Sequence, residues 1–201
     1  MTSRFSKGGK LIDRTKRLSF RFNGKNLFAY GGDTLASALL ANNQVLIGRS
    51  FKYHRPRGIV SSGIEEPNAL VSLGSGGNFE PNRSATTIEL FDGVEATSQN
   101  HLGSLEWDIG SVNNLISKIF PAGFYYKTFI NPRFAWKHIF EPTIRSAAGL
   151  GKAPKEEDGS AYDYFYAHLD VVIIGAGITG LVAAKNLAKS GLKILLVEQK
   201  H

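Results

Sequence analysis

The stretch His168–His201, HLDVVIIGAGITGLVAAKNLAKSGLKILLVEQKH, limits what this chain can fold into more than any other part of it. DVVIIG is a near-continuous apolar run, as a parallel strand buried on both faces requires. Gly175, Gly177 and Gly180 follow it without a gap. In a GxGxxG turn the first glycine permits the tight bend and the second lets backbone approach a pyrophosphate. The third lets helix and strand pack closely. Leu181, Ala184, Leu187 and Ala188 then recur at helical spacing, Ser190-Gly191 closes the helix, and LKILLVE reads as a second apolar strand ending at Glu198. A carboxylate about 20 residues beyond the glycines accepts hydrogen bonds from adenosine ribose hydroxyls, and the helix N-terminus presents unpaired N–H groups to a pyrophosphate. The segment reads as the first βαβ unit of a Rossmann-type dinucleotide-binding domain. Its candidate contacts are Gly175, Ala176, Gly177, Ile178, Thr179, Gly180 and Glu198. An acid at 198 disfavours a 2′-phosphate, so NAD or FAD is expected over NADP, and the motif cannot separate the two because both present an adenosine diphosphate. One βαβ unit leaves a sheet face and an edge open, so the chain reads as the front of a longer polypeptide, truncated within this domain.

Upstream the signals are those of an α+β domain over residues 17–100. Leu18, Phe20 and Phe22 alternate with Ser19 and Arg21, and Asn23-Gly24 suits a type I′ hairpin turn. GGDTLASALLANN reads as a short helix capped by Asp33 or Thr34. QVLIG, NALVSLG and TTIELFDG read as strands, the last two separated by the turn-rich SGGNFEPNRS. Hairpin, helix and further strands together indicate a β-grasp type. Residues 101–166 hold 13 of the 22 aromatics, broken by Pro121, Pro132 and Pro142, with short helices expected over Val112–Ile119 and Pro132–Phe140. They read as an aromatic-rich connector lying against other domains. Residues 1–16 read as a solvated basic tail, and 167–201 as the incomplete dinucleotide unit.

Charge is uneven. Residues 1–60 carry 12 Lys/Arg against 2 Asp/Glu, the remainder 12 against 15. The basic loop Gly48–Gly58, with Arg49, Lys52, Arg55 and Arg57 around Phe51, Tyr53 and His54, suits a solvated surface, a partner or cofactor phosphate, or single-stranded nucleic acid. The acidic later part argues against nucleic acid as a partner. No apolar run reaches the roughly 20 residues that span a bilayer, so no membrane association is expected. The chain has no cysteine, which fits a reducing, cytoplasmic setting and leaves no thiolate for an iron–sulfur cluster. The five histidines are scattered, so no metal site is expected, and Glu65-Glu66-Pro67-Asn68 reads as a loop or strand entry rather than a catalytic carboxylate pair. No catalytic residue stands out. A stand-alone interaction or assembly module is the alternative function.

GDTLASALLANN, LIGRSFKYHRPRGI, EEPNAL, SQN, FPAGFYYKTF, EPTIRSAAGLGKAP and the terminal fingerprint, in that order, resemble the N-terminal region of the alpha subunit of heterotetrameric sarcosine oxidase. Subunits of opine dehydrogenases and cyanide synthase share the architecture at lower similarity. The resemblance implies a ferredoxin-like β-grasp domain whose cysteines are missing, and hence no iron–sulfur cluster. It also implies NAD bound without redox turnover in the dinucleotide domain, with Gln199 and Lys200 joining the turn residues and Glu198 as contacts, and FMN, FAD and tetrahydrofolate held in the complete complex but not by this chain alone. Beta, gamma and delta subunits are the implied partners. The implied reaction is oxidation of sarcosine to glycine, hydrogen peroxide and formaldehyde or methylene-tetrahydrofolate, with no turnover by this chain alone. This chain departs from the family pattern twice. Ile178-Thr179 stands where Pro-Ala is common, and Glu198-Gln199 where Asp-Glu is common.

Overall fold

The computed structural model describes residues 3–115, 123, 131–147 and 153–198. Contacts divide the chain into two units, Met1–Gly159 and Ser160–His201.

In the first unit, Asn23 and Gly24 take φ of 49° and 77°, the left-handed geometry a type I′ turn demands. They join β1 (Asp13–Phe22) to β2 (Lys25–Gly31) in an antiparallel pair running from Phe22↔Lys25 to Arg17↔Tyr30. The expected alternation holds: Leu18, Phe20 and Phe22 are buried and their neighbours exposed. Burial of each phenylalanine contributes roughly 2–3 kcal/mol of transfer free energy. Helix α1 (Leu35–Ala41) buries Leu35, Ala36, Ala38, Leu39 and Ala41. Thr34 is its cap, accepting the Ser37 N–H at 3.2 Å.

With β5 (Leu70–Leu73), β6 (Glu80–Ser84) and β7 (Val94–Ser98), the sheet has the order β2-β1-β7-β5-β6. β1 and β7 are parallel, in register Phe20↔Val94 to Phe22↔Ala96; the other neighbours are antiparallel. The core under this sheet includes Phe20, Phe22, Leu35, Leu39, Ile47 and Val71. Gly48–Arg49 (β3) and Pro56–Arg57 (β4) form a separate two-stranded ribbon.

Several expectations shift. QVLIG supplies only Gly48 to a strand, although Ile47 is buried. TTIELFDG forms a 3-10 turn, Ala85–Thr87, and an isolated bridge between Thr34 and Glu89 instead of a strand. The strand lies earlier, at β6, inside the stretch expected to be turns. β6 is an edge strand containing Pro81 and a left-handed Asn82, and its register with β5 shifts. An edge tolerates such residues because only one side pairs. The stretch expected as a solvated tail is partly built in: Asp13–Lys16 belong to β1, and Arg4 bonds the buried Asp33.

Residues 101–115 pack on this domain. Leu105 joins its core, and a 3-10 segment covers Ile109–Asn114 where a helix Val112–Ile119 is expected. Residues 116–119 lie outside the described residues, as does FPAGFYYKTF apart from Gly123. Helix α2 comprises an α turn Arg133–Ala135, a π segment Trp136–Phe140 and an α segment Glu141–Ala147. It outlasts the expected Pro132–Phe140 by one α segment, supported by the Glu141–Arg145 pair at i,i+4.

The second unit is a βαβ: β8 (Val171–Ile174), helix α3 (Ile178–Leu187) and β9 (Ile194–Val197). β8 and β9 are parallel from Val171↔Ile194 to Ile174↔Val197. Among its described residues none is buried, and Val172, Ile174, Leu181, Val182 and Leu192 are exposed. Among the described residues no helix is long and apolar enough to cross a membrane.

Candidate functional site

The glycine turn of the second unit is built as its spacing requires. Gly175 sits at φ +96°, and its N–H extends the pairing with β9 by donating to the Val197 carbonyl at 2.7 Å. A Cβ on Gly180 would lie 1.9 Å from the Gly175 oxygen, so only glycine lets α3 start this close to β8. A Cβ on Gly177 would meet nothing within 4 Å. That side of the turn is open, and Gly177 is the N-cap of α3. The amides of Ile178 and Thr179 lie in the first turn, where no carbonyl precedes them to accept. Positive dipole and N–H groups therefore face the open side.

Glu198 stands at the end of β9, as its position beyond the glycines predicts. Its Oε2 accepts the Ala176 N–H at 2.6 Å, so the acid is tied to the turn itself. Ala176, Gly177, Ile178, Thr179, Gly180 and Glu198 thus come together around one bend. Gln199 and Lys200 lie outside the described residues.

The basic loop of the first unit is largely absorbed by structure. Arg49 donates to the Leu105 carbonyl through Nε (2.9 Å) and Nη2 (2.7 Å), to the Glu106 carbonyl (3.0 Å) and to that of His54 (3.2 Å). His54, buried, bonds through Nδ1 to Asp108 Oδ2 at 2.7 Å. Asp108 also accepts the N–H groups of Leu102 and Gly110, both at 2.9 Å. Burial pushes this carboxyl up, but the Leu102 amide, the His54 ring and the Gly110 amide outweigh it, and its pKa lies below the usual 3.8. Arg55 stacks on Tyr53 at 4.7 Å and donates to Asn114 at 2.9 Å. Of this clamp the sequence offers only its basic half, because Asp108 lies far along the chain with no local pattern marking it.

Glu66 is a second residue that the sequence reading undervalues. It is 4% exposed, and Oε2 accepts the amides of Val60 (2.8 Å) and Ser61 (2.6 Å), while Oε1 accepts those of Asn68 (2.8 Å) and Ala69 (3.2 Å). Burial raises its pKa, but the four N–H donors outweigh burial, and the net shift is downward from 4.5.

Comparison with known proteins first defines a class. Residues 15–101 match the family described as 2Fe-2S iron-sulfur cluster binding domain, and residues 170–201 match the family described as FAD dependent oxidoreductase. The particular relatives are sarcosine oxidase alpha subunits. That of Rhizobium meliloti (strain 1021) is 54% identical over 94% of this chain, and that of Corynebacterium sp. (strain U-96) is 32% identical over 96%. Homology to these subunits therefore runs through nearly the whole chain, which spans 19% and 15% of their respective lengths. A stretch of 35 residues, 17% of this chain, is also 51% identical to part of a thiamine thiazole synthase of Archaeoglobus fulgidus, of which it covers 14%.

These matches correct the cofactor expectations. NAD gives way to FAD, since the family matched by the fingerprint is flavin-dependent. The physical reason is that both nucleotides present the same adenosine diphosphate to the turn, so the motif reads them alike. The expected absence of an iron–sulfur cluster is corrected likewise, because the family matched by the first domain is a 2Fe–2S binding one. A fold class is carried by strand order and core, not by the ligands of its loop.

The two groups fit this chain differently. The open glycine turn and the α3 amides suit the pyrophosphate of FAD. For a cluster the donor set does not fit: the chain has no cysteine, and among the described residues no three His, Cys, Asp or Glu side chains converge. No redox step is assigned to the first domain.

Proposed function

We propose that this chain forms part of an oxidoreductase subunit of the sarcosine oxidase alpha type. In this reading residues 17–100 are a β-grasp domain, 101–166 a connector, and 167–201 the first βαβ of a Rossmann-type FAD-binding domain. Gly175, Ala176, Gly177, Ile178, Thr179 and Gly180 receive the pyrophosphate, Glu198 the adenosine ribose, and Gln199 and Lys200 flank the ribose. The observation that supports the reading is the Glu198 carboxylate accepting the Ala176 N–H of the glycine turn, an acid held beside the free amides that open α3. Bound FAD would supply the redox chemistry; these residues bind and orient it. The complete protein oxidises sarcosine to glycine with release of formaldehyde and hydrogen peroxide, in a complex with beta, gamma and delta subunits.

The test is flavin content of the complete subunit purified with its partners. Gly177→Val, which places a branched side chain in the open side of the turn, is expected to lower bound FAD, and Glu198→Ala to weaken FAD at least about tenfold, the loss of one charged hydrogen bond. Unchanged FAD affinity in both variants would refute the assignment.

A further inference from the structure

The loop Val60–Ala69 carries a juxtaposition that the matched family does not explain for a chain without cysteine. Ligands in plant-type 2Fe–2S domains follow C-x4-C-x2-C, with a fourth cysteine further on. Ser61, Glu66 and Ala69 stand at that spacing. A fourth position, Thr86, lies over the same loop: its Oγ1 donates to the Gly63 carbonyl at 2.6 Å, and the adjacent Ala85 amide bonds the Ala69 carbonyl at 2.8 Å. At the centre of these residues is the carboxylate of Glu66, with four backbone amides converging on it and the Ser61 hydroxyl at 3.3 Å. No cation pairs with it among the described residues. A ring of inward N–H groups demands an anion, because a buried donor without an acceptor is costly.

We propose that the Glu66 carboxylate is the built-in anion of a cluster-type loop, standing at one of four ligand positions, Ser61, Glu66, Ala69 and Thr86, and ordering the loop as a bound inorganic anion would. The site is thereby satisfied from within the chain. Its role is to hold the loop in shape, with Thr86 tying it to the turn before β7.

Two measurements on the intact polypeptide test this. Glu66→Gln keeps the shape and removes the charge. Hydrogen exchange at the amides of Val60, Ser61, Asn68 and Ala69 is expected to rise about tenfold more than at β1 amides; a rise no larger than in β1 overturns the proposal. In the second, Ser61, Glu66, Ala69 and Thr86 are all replaced by cysteine, and the protein is reconstituted anaerobically with iron and sulfide. Stoichiometric iron and acid-labile sulfide are expected, and none in the triple variant that retains Glu66. A folded quadruple variant that binds no iron, or a triple variant that binds as much, overturns the positional assignment. Should the quadruple variant not fold, the exchange experiment decides alone.

Discussion

Removing the Asp33 carboxylate is the sharpest test of how the first residues of the chain are held. Asp33 is 0% exposed, and one carboxylate accepts four hydrogen bonds. These come from Arg4 Nη1 (3.1 Å) and Nη2 (2.6 Å), the Tyr30 amide (2.9 Å) and the Ser37 hydroxyl (2.6 Å). Breaking a buried pair costs about 3–5 kcal/mol, because the abandoned partner stays desolvated. Asp33→Ala also leaves the Tyr30 amide without its acceptor, so about 4 kcal/mol is expected for the variant. Arg4→Ala leaves the acid with two neutral donors and is expected to cost about 2–3 kcal/mol. The Arg4 side chain is only 16% exposed, so solvent screening is small, and a double-mutant cycle should give a coupling of about 2 kcal/mol. The assay is urea unfolding followed through hydrogen exchange at β1 and β2 amides. A coupling below about 0.3 kcal/mol, the scatter of independent sites, would refute the docked position of Arg4 and leave the residues before β1 as a solvated tail.

Three further predictions concern the clamp and the turn. The folded pKa of Asp108 lies below its ordinary value, so its contribution is fully present above about pH 4 and is lost as pH falls through the lowered folded value; Asp108→Asn should flatten the acid limb of a stability–pH profile. Gly110→Ala would put a Cβ 2.3 Å from the His54 ring and should cost about 1–3 kcal/mol by overpacking, read as a lowered Tm with Ser111→Ala as control. Gly180→Ala, whose Cβ would lie 1.9 Å from the Gly175 oxygen, should force α3 away from β8 and lower FAD binding by the complete subunit; unaltered binding would mean that the close approach is dispensable.

The parts of the fold legible in the sequence are those whose physics is local. The Asn23-Gly24 hairpin, the Thr34 cap and the glycine turn each declare themselves within a few residues, because backbone geometry there depends on residue type. β6 and β7 do not. β6 is an edge strand of polar residues, and β7 turns Val94, Ala96 and Ser98 inward, side chains too small and too polar to mark a buried face. The Glu66 ring and the His54–Asp108 pair were illegible for another reason. A buried acid satisfied by backbone amides looks in sequence like any loop acid, and Asp108 meets His54 only through the fold. The cofactor was underdetermined in kind, since a turn that grips a pyrophosphate does not see the rest of the nucleotide.

The parallel pairing of β1 with β7 also has a consequence during synthesis. β2 is complete at Gly31, but the strand that must sit beside β1 ends only at Ser98. At ordinary rates of chain elongation that gap lasts about 3–13 s. Throughout it the hairpin presents β1 as an unpaired edge carrying Leu18, Phe20 and Phe22, far longer than the microseconds a hairpin needs to form. The domain is therefore expected to pass through a nascent stage in which its future core is on show to chaperones. Ribosome-bound chains halted before Val94 should crosslink to them, and chains halted well past Ser98 should not.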